Sequence, residues 1–218
     1  MKKQLLIPTL LIGCSLFFAC GSSTKNTDES EAEEPGVVEN ISNVGEAVKG
    51  LSGLEKAMKD VEAQTNALKA KTPVSNDDLK NVLPETLDGL KRMSIRVGEN
   101  SSLGISSANA TYENEDGSKT LDISIMDGAG EAASALTGLA FYGYNTDSEE
   151  ITENTKERTT DFKGQRAKLT EEKYDDEFTS KIEWIHKKRY LMSMEGKGYT
   201  IDQVGDLMDK IGTGNLPE

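Results

Sequence analysis

Apolar and polar residues alternate with period two over much of this chain, and that pattern predicts strands with one buried and one solvated face. The Asp116-Gly117 dipeptide stands between two such alternating runs and predicts a β-hairpin. The strand segments predicted from the sequence are 90–97, 108–112, 120–125, 149–160, 164–174, 178–184 and 190–194.

Other segments carry apolar residues at helical spacing. The longest, 41–71, is a predicted amphipathic helix that Pro73 ends, and its first half is weakened by glycines such as Gly50 and Gly53. Its apolar stripe comprises Val44, Val48, Leu51, Leu54, Met58, Val61 and Leu68. A short helix is predicted after Ser75, with a capping box to Asp78, and a middle helix over 131–142. A last helix begins at Thr200, which Gln203 caps, and we expect Gly212 to follow its C-terminal end.

Strands that follow one another without alternating helices predict an antiparallel arrangement. We therefore expect an α+β fold: a twisted antiparallel sheet of about six or seven strands, with a long N-terminal helix, a middle helix and a C-terminal helix on one face. A helix over 41–71 would be about 45 Å long, and a sheet of short strands is narrower than that. Part of this helix should overhang or bend at Gly50–Gly53, which would make it a regulatory or partner-docking element; the alternative is a core helix packed along its full length.

The N-terminus has a separate pattern. Lys2 and Lys3 precede an apolar run from Leu5 to Ala19, which is followed by Cys20-Gly21 and two serines. The run holds about 15 residues, whereas a membrane-spanning helix needs roughly 20. It is therefore typical of a signal peptide rather than of a permanent span.

This leader resembles a bacterial lipoprotein signal peptide, and the resemblance implies that Cys20 receives a diacylglyceryl group and becomes the new N-terminus. Leu11-Ile12-Gly13-Cys14 is the alternative site, but it would leave a very short apolar run. The domains expected are a signal peptide at 1–19, a lipidated, acidic linker at 20–40, the amphipathic helix at 41–73 and an α+β domain at 74–218. The globular part shows only a general similarity to uncharacterised bacterial lipoproteins, which transfers no residue's role.

Composition narrows the expected partners. The 218-residue chain has a formal net charge of −13, and removing 1–19, with two lysines and no acids, makes it −15. Such a charge disfavours nucleic acid, whose phosphates require a basic surface. A single histidine, His186, and a single cysteine after cleavage predict no disulfide, metal site or cofactor.

Four groups of residues were weighed as candidate chemistry. Gly128-Ala129-Gly130 fits a dinucleotide-binding motif in its letters but follows a hairpin strand, which favours a plain turn. The acids 175–177 could form a weak cation site. His186 has cationic rather than acidic neighbours, which favours a surface histidine beside a turn over a general base. The last group is either core or an apolar ligand groove, and comprises Phe178, Trp184, Tyr190, Met192, Met194 and Tyr199.

These patterns together favour a lipid-anchored cell-envelope protein, attached to the outer membrane with its domain outside the cytoplasm. We expect a non-catalytic binding or structural module. A carrier or chaperone for an apolar envelope ligand and a carboxylate-dependent hydrolase are the alternatives. The expected partners are the membrane, through the lipid anchor, and an envelope protein or apolar ligand.

Overall fold

The structure is a computed structural model that describes the backbone from Val37 to Glu218 and the side chains from Gly53 onward. Its contacts divide the chain into 1–43, of which only the start of a helix is described, and a compact unit from Val44 to Glu218. Cys20 and most of the expected acidic linker lie outside the described residues.

The compact unit is built on one open antiparallel sheet of nine strands in the order β1-β2-β3-β4-β9-β8-β7-β6-β5. The strands are β1 Thr86–Leu87, β2 Leu90–Val97, β3 Ser107–Glu113, β4 Thr120–Asp127, β5 Ser148–Ile151, β6 Thr155–Phe162, β7 Gln165–Tyr174, β8 Glu177–His186 and β9 Tyr190–Lys197. The helices are α1 Val37–Lys69, α2 Asn76–Val82, α3 Glu131–Tyr144 and α4 Ile201–Met208. The predicted α+β class and antiparallel sheet are confirmed.

The strand count is larger than the six or seven predicted, for two local reasons. The segment predicted as one strand over 149–160 is two strands, because the chain reverses between Ile151 and Thr155. The two-residue strand β1 was missed because it is too short to show any alternation.

Register explains which residues enter the core. Directly paired residues of antiparallel strands share a face, and pairs such as Ile125 with Met192 and Trp184 with Ala167 place one apolar set together. The helices α2 and α4 cover this face through Leu79, Val82, Val204 and Leu207. The buried residues that the strands contribute to it are Leu87, Leu90, Ala108, Ala110, Tyr112, Leu121, Ile123, Ile125, Ala167, Leu169, Ile182, Trp184, Tyr190, Met192 and Met194.

A β-bulge changes the predicted alternation in β2. The register against β3 shifts between Arg92 and Ser94, so that Met93 is exposed while Arg92 pairs with the buried Tyr112. The Arg92 guanidinium donates a hydrogen bond to the Leu83 carbonyl. Without the bulge, the alternation of Met93, Ile95 and Val97 with polar residues would place Met93 on the core face.

The expectation that all helices lie on one face is wrong for α3. The Tyr144 carbonyl accepts a hydrogen bond of 2.9 Å from Arg166 Nε, and Phe141 shares a pocket with Ile185. Arg166 and Ile185 are the sequence neighbours of core residues, so their side chains point to the opposite face of the sheet. The helix α3 therefore packs on that face.

The cap predicted for the C-terminal helix is confirmed at its start but not at its end. Thr200 and Gln203 form a reciprocal capping box. The helix ends at Met208, and Gly212 has a φ of −76° rather than the left-handed conformation of a glycine cap. The Gly212 amide instead donates to the Val82 carbonyl at 3.0 Å, which joins this segment to α2.

A buried ion pair joins four distant segments at one end of the sheet. Asp127, at the end of β4, is fully buried and accepts bonds of 2.8 and 2.9 Å from Arg189 Nε and Nη2. Its two oxygens also accept from the backbone amides of Val74 and Ala129. The guanidinium donates further to the carbonyls of Thr72 and Glu218.

The bidentate geometry satisfies both buried charges. The hydrogen bond to Asp127 also raises the pKa of Arg189 above its ordinary range, so the guanidinium stays charged.

The two edges of the sheet are short or charged. The strand β1 has only two residues. The strand β5 has four residues, and all four, which include Glu149 and Glu150, are exposed. The unpaired backbone groups are therefore few at the β1 edge, and at the β5 edge they are flanked by negative charge.

The first prediction concerns the buried pair. Asp127→Ala should lower the free energy of unfolding by about 3–5 kcal/mol, because it leaves the Arg189 charge buried without its partner. Urea unfolding followed by the fluorescence of Trp184, the chain's only tryptophan, measures this. Asp147→Ala, which removes an exposed partner of Arg166, is the control and should leave the midpoint nearly unchanged. Equal effects of the two substitutions would contradict the structural role of the buried pair.

Candidate functional site

The helices α1 and α3 run antiparallel and touch at a glycine. Lys69 pairs with Glu131 at 2.6 Å near one end of the contact, and Gly138 lies against Thr65 and Val61 further along. A side chain at position 138 would overlap the Thr65 hydroxyl. Glycine therefore lets the two helix backbones approach closely.

The face that α3 turns inward is made of small residues. Ala133, Ser134, Thr137 and Gly138 are its buried positions. Thr137 donates its hydroxyl proton to the Ala133 carbonyl at 2.9 Å, so its polar group is satisfied within the helix. Because the small residues face inward, the large apolar residues of α3 are left on its outer side.

An apolar groove lies between the outer sides of the two helices. Met58 and Leu54 of α1 are 63% and 47% exposed, and Leu139 and Tyr142 of α3 are 70% and 44% exposed. With Val61 they line a cavity of about 580 Å³, and Glu55, Lys59 and Glu62 stand along its α1 edge. Large apolar side chains grouped on a surface mark an interaction site more often than single ones do.

The burial of apolar residues in α1 decreases away from its C-terminal end. Near its C-terminal end Leu68 is only 2% exposed, and its carbonyl accepts a bond of 3.1 Å from the Gly130 amide. Leu54 and Met58, three to four turns earlier, are largely exposed. The backbone stays helical through Gly50–Gly53, so these glycines do not interrupt α1.

A second pocket lies under the C-terminal end of α3, against the opposite face of the sheet. Phe141 and Ile185 form its apolar wall, and Arg166 forms its polar one. Burial, with a smaller contribution from the negative charge of Glu183, raises the pKa of Tyr144 to about 12. Arg166 is already bound at 2.6 Å by Asp147, so this pocket offers a ligand no uncommitted guanidinium.

Five of the six aromatic and methionine residues grouped in the sequence are buried in the core and do not form a ligand groove, whereas Phe178 is half-buried. Trp184, Met192 and Met194 are at most 2% exposed, and Tyr190 is fully buried. The Tyr190 hydroxyl donates to the Pro217 carbonyl at 3.0 Å. These side chains pack beneath α2 and α4.

The remaining sequence candidates are separated in the structure. Gly128 and Gly130 form the turn before α3, where Gly128 lies against the Arg189 carbonyl. The acids 175–177 lie at the hairpin between β7 and β8, and Glu177 pairs with Lys197 at 2.6 Å. Among the described residues, no three His, Cys, Asp or Glu side chains are grouped as metal ligands would be.

His186 ends β8 and is half-buried, not on the surface as expected. Burial, together with the positive charge of Lys187, lowers its pKa, so the ring is held neutral. Its Nε2 atom has no hydrogen-bond partner among the described residues. Among the described residues no carboxylate is hydrogen-bonded to this ring, so it lacks the orienting partner that the histidine of a catalytic triad has.

Sequence reasoning missed both the buried ion pair and the outer apolar side of α3. A signal for Asp127 exists: it continues the alternation of Leu121, Ile123 and Ile125 into the core. The outer side of α3 has none, since its sequence is apolar nearly all round and does not show which face is buried.

Comparison with protein-family models, with curated proteins and with solved structures finds no match for this chain. None of the described helices has the length and apolar character needed to cross a membrane. The functional argument therefore rests on the groove and on the residues of the chain itself.

A matched pair of glycines in α3 tests the helix contact. Gly138→Leu should destabilise the fold by about 1–3 kcal/mol, because the new side chain must push α1 away. Gly143→Leu changes helix propensity equally but meets open space, so its unfolding midpoint should equal or exceed that of the wild type. Thermal unfolding compares the two. A lower midpoint for Gly143→Leu than for Gly138→Leu would mean that α1 and α3 do not meet as described.

Proposed function

We propose that this chain is a lipid-anchored cell-envelope protein that binds another envelope protein without covalent chemistry. The observation that carries the binding role is the α1–α3 groove, whose walls are large, exposed apolar side chains with charged residues along one edge only. The anchor is supported by the leader pattern that ends at Cys20.

A folded domain that presents such a groove can bind a partner without a catalytic centre. The core is filled by the side chains of the sheet, α2 and α4, so the apolar surface left for a ligand lies outside it. A groove open to solvent suits a protein surface that buries one side of itself. A carrier of single lipid molecules would be better served by an enclosed cavity that covers most of its ligand.

The anchor has a direct test. Cys20→Ser should move the protein from the membrane fraction to the soluble fraction, or leave the leader uncleaved, because two or more acyl chains are what hold such a protein stably on a bilayer. Fractionation and intact mass show the result. Cys14→Ser is the control and should stay anchored. The reverse pattern would make Cys14 the acylated residue.

The binding role is tested by photo-crosslinking in intact cells. A photoreactive amino acid at position 58 or 139 should crosslink to the same discrete protein, because both positions line the groove. Positions 103 and 151 are the controls, since Leu103 and Ile151 are exposed apolar residues outside it. Crosslinks to lipid alone would favour the carrier, and identical products from all four positions would overturn a binding role for the groove.

A further inference from the structure

We infer that the α1–α3 groove binds one amphipathic helix of a partner protein, whose apolar stripe is flanked by lysine or arginine. This inference rests on the proposed binding function and names the kind of partner. It depends on three observations: the spacing of apolar residues along α1, the shape of the groove and the charges at its edge.

The apolar residues of α1 follow the spacing of helix-to-helix packing. Leu54, Met58, Val61, Thr65 and Leu68 are separated by alternating steps of four and three, as in the seam of a coiled coil. The last three lie in the packed half of the helix, and Gly138 of α3 lies against Val61 and Thr65. Leu54 and Met58 continue the same seam, yet they are exposed.

The groove has the shape that a third helix fits. Its walls belong to two antiparallel helices, and the exposure of Leu54, Met58, Leu139 and Tyr142 leaves its outer side accessible to solvent. A helix is about 10–12 Å across and needs only one stripe of its surface covered. An acyl chain is apolar on all sides, so an open groove would leave much of it in water.

The charges at the groove select between possible helices. Lys59 is paired with Glu55 at 2.6 Å, whereas Glu62 makes no ion pair with any described residue. On the α3 side, the segment 132–144 carries no charged residue. The groove therefore has one uncompensated negative charge and no uncompensated positive one.

A second copy of this chain is a poor occupant for the same reason. It would bring a second Glu62 to the interface and place two chains of net charge −13 side by side. Basic flanks on a partner helix would instead meet Glu62 and the negative field of the domain. Because these charges are exposed and screened, the preference should be modest and should weaken with salt.

Two synthetic helical peptides test the inference. Both carry leucine at alternating steps of four and three; one has lysine and the other glutamate at the flanking positions. The full chain is held in phosphatidylcholine nanodiscs, with empty discs as the blank, and binding is followed by fluorescence anisotropy. We expect the lysine peptide to bind roughly two- to five-fold more tightly at low salt. Glu62→Gln should remove most of that difference.

Matched variants locate the binding. Met58→Ser with Leu139→Ser should weaken the lysine peptide at least ten-fold, whereas Leu103→Ser with Ile151→Ser removes equally exposed apolar side chains elsewhere and should have no effect. Each pair leaves the charge unchanged, and an unaltered unfolding midpoint shows that the fold is retained. Equal affinities of the two peptides, or equal effects of the two variant pairs, would overturn the inference. So would a dimer that the groove variant abolishes.

The failure of this inference is separable from that of the proposed function. A groove-specific protein crosslink in cells, combined with no preference for the lysine peptide, would retain the binding role and reject the basic helix. Selective binding of the lysine peptide with no protein crosslink in cells would retain the groove's preference for a basic helix and reject the proposed binding of an envelope protein.

Discussion

The fold depends on the ion pair between Asp127 and Arg189. It lies where β4 ends and β9 begins, and it also holds the segment between α1 and α2 and the last residues of the chain. Two buried charges are costly to remove from water, and they stabilise a structure only when hydrogen bonds satisfy both of them. Here the carboxylate accepts four hydrogen bonds and the guanidinium contacts two further carbonyls. The pair therefore specifies which segments meet at this end of the sheet, a selectivity that apolar packing alone supplies poorly.

Much of the sheet could be predicted from the sequence because period-two alternation reports burial directly. Leu121, Ile123 and Ile125 show their inward face in the sequence, and the structure places them there. Three features could not be read in this way: the two-residue β1, the bulge that turns Met93 outward, and the position of α3. In each of them tertiary contacts determine the structure. The sequence of a bulge, or of a helix of uniform polarity, does not indicate which face is buried. The groove was missed for that reason, although its α1 wall was part of the predicted apolar stripe.

The distribution of small and large residues around α3 explains both its close packing against α1 and the exposure of its large apolar side chains. Its small residues allow α1 and the sheet to approach, and helical geometry then directs Leu139 and Tyr142 to the outer side, where they line the groove with α1. An exchange of faces would bury more apolar area, but Gly138 and Thr137 could not then sit against α1 and the turn at Gly128. The arrangement exposes apolar side chains while the domain itself is fully packed. That combination is the structural basis of the proposed binding role.

The short, charged edges of the sheet matter once many copies share one membrane plane, as the proposed anchor implies. Confinement to two dimensions raises the local concentration of neighbouring domains and aligns them, which favours strand addition from one open sheet to the next. The two residues of β1 offer too few backbone groups to begin such an addition, and Glu149 and Glu150 of β5 would face the same glutamates of a neighbour. If the proposed anchor holds many copies on one membrane, these edges would therefore keep them from growing into ordered assemblies through their sheets.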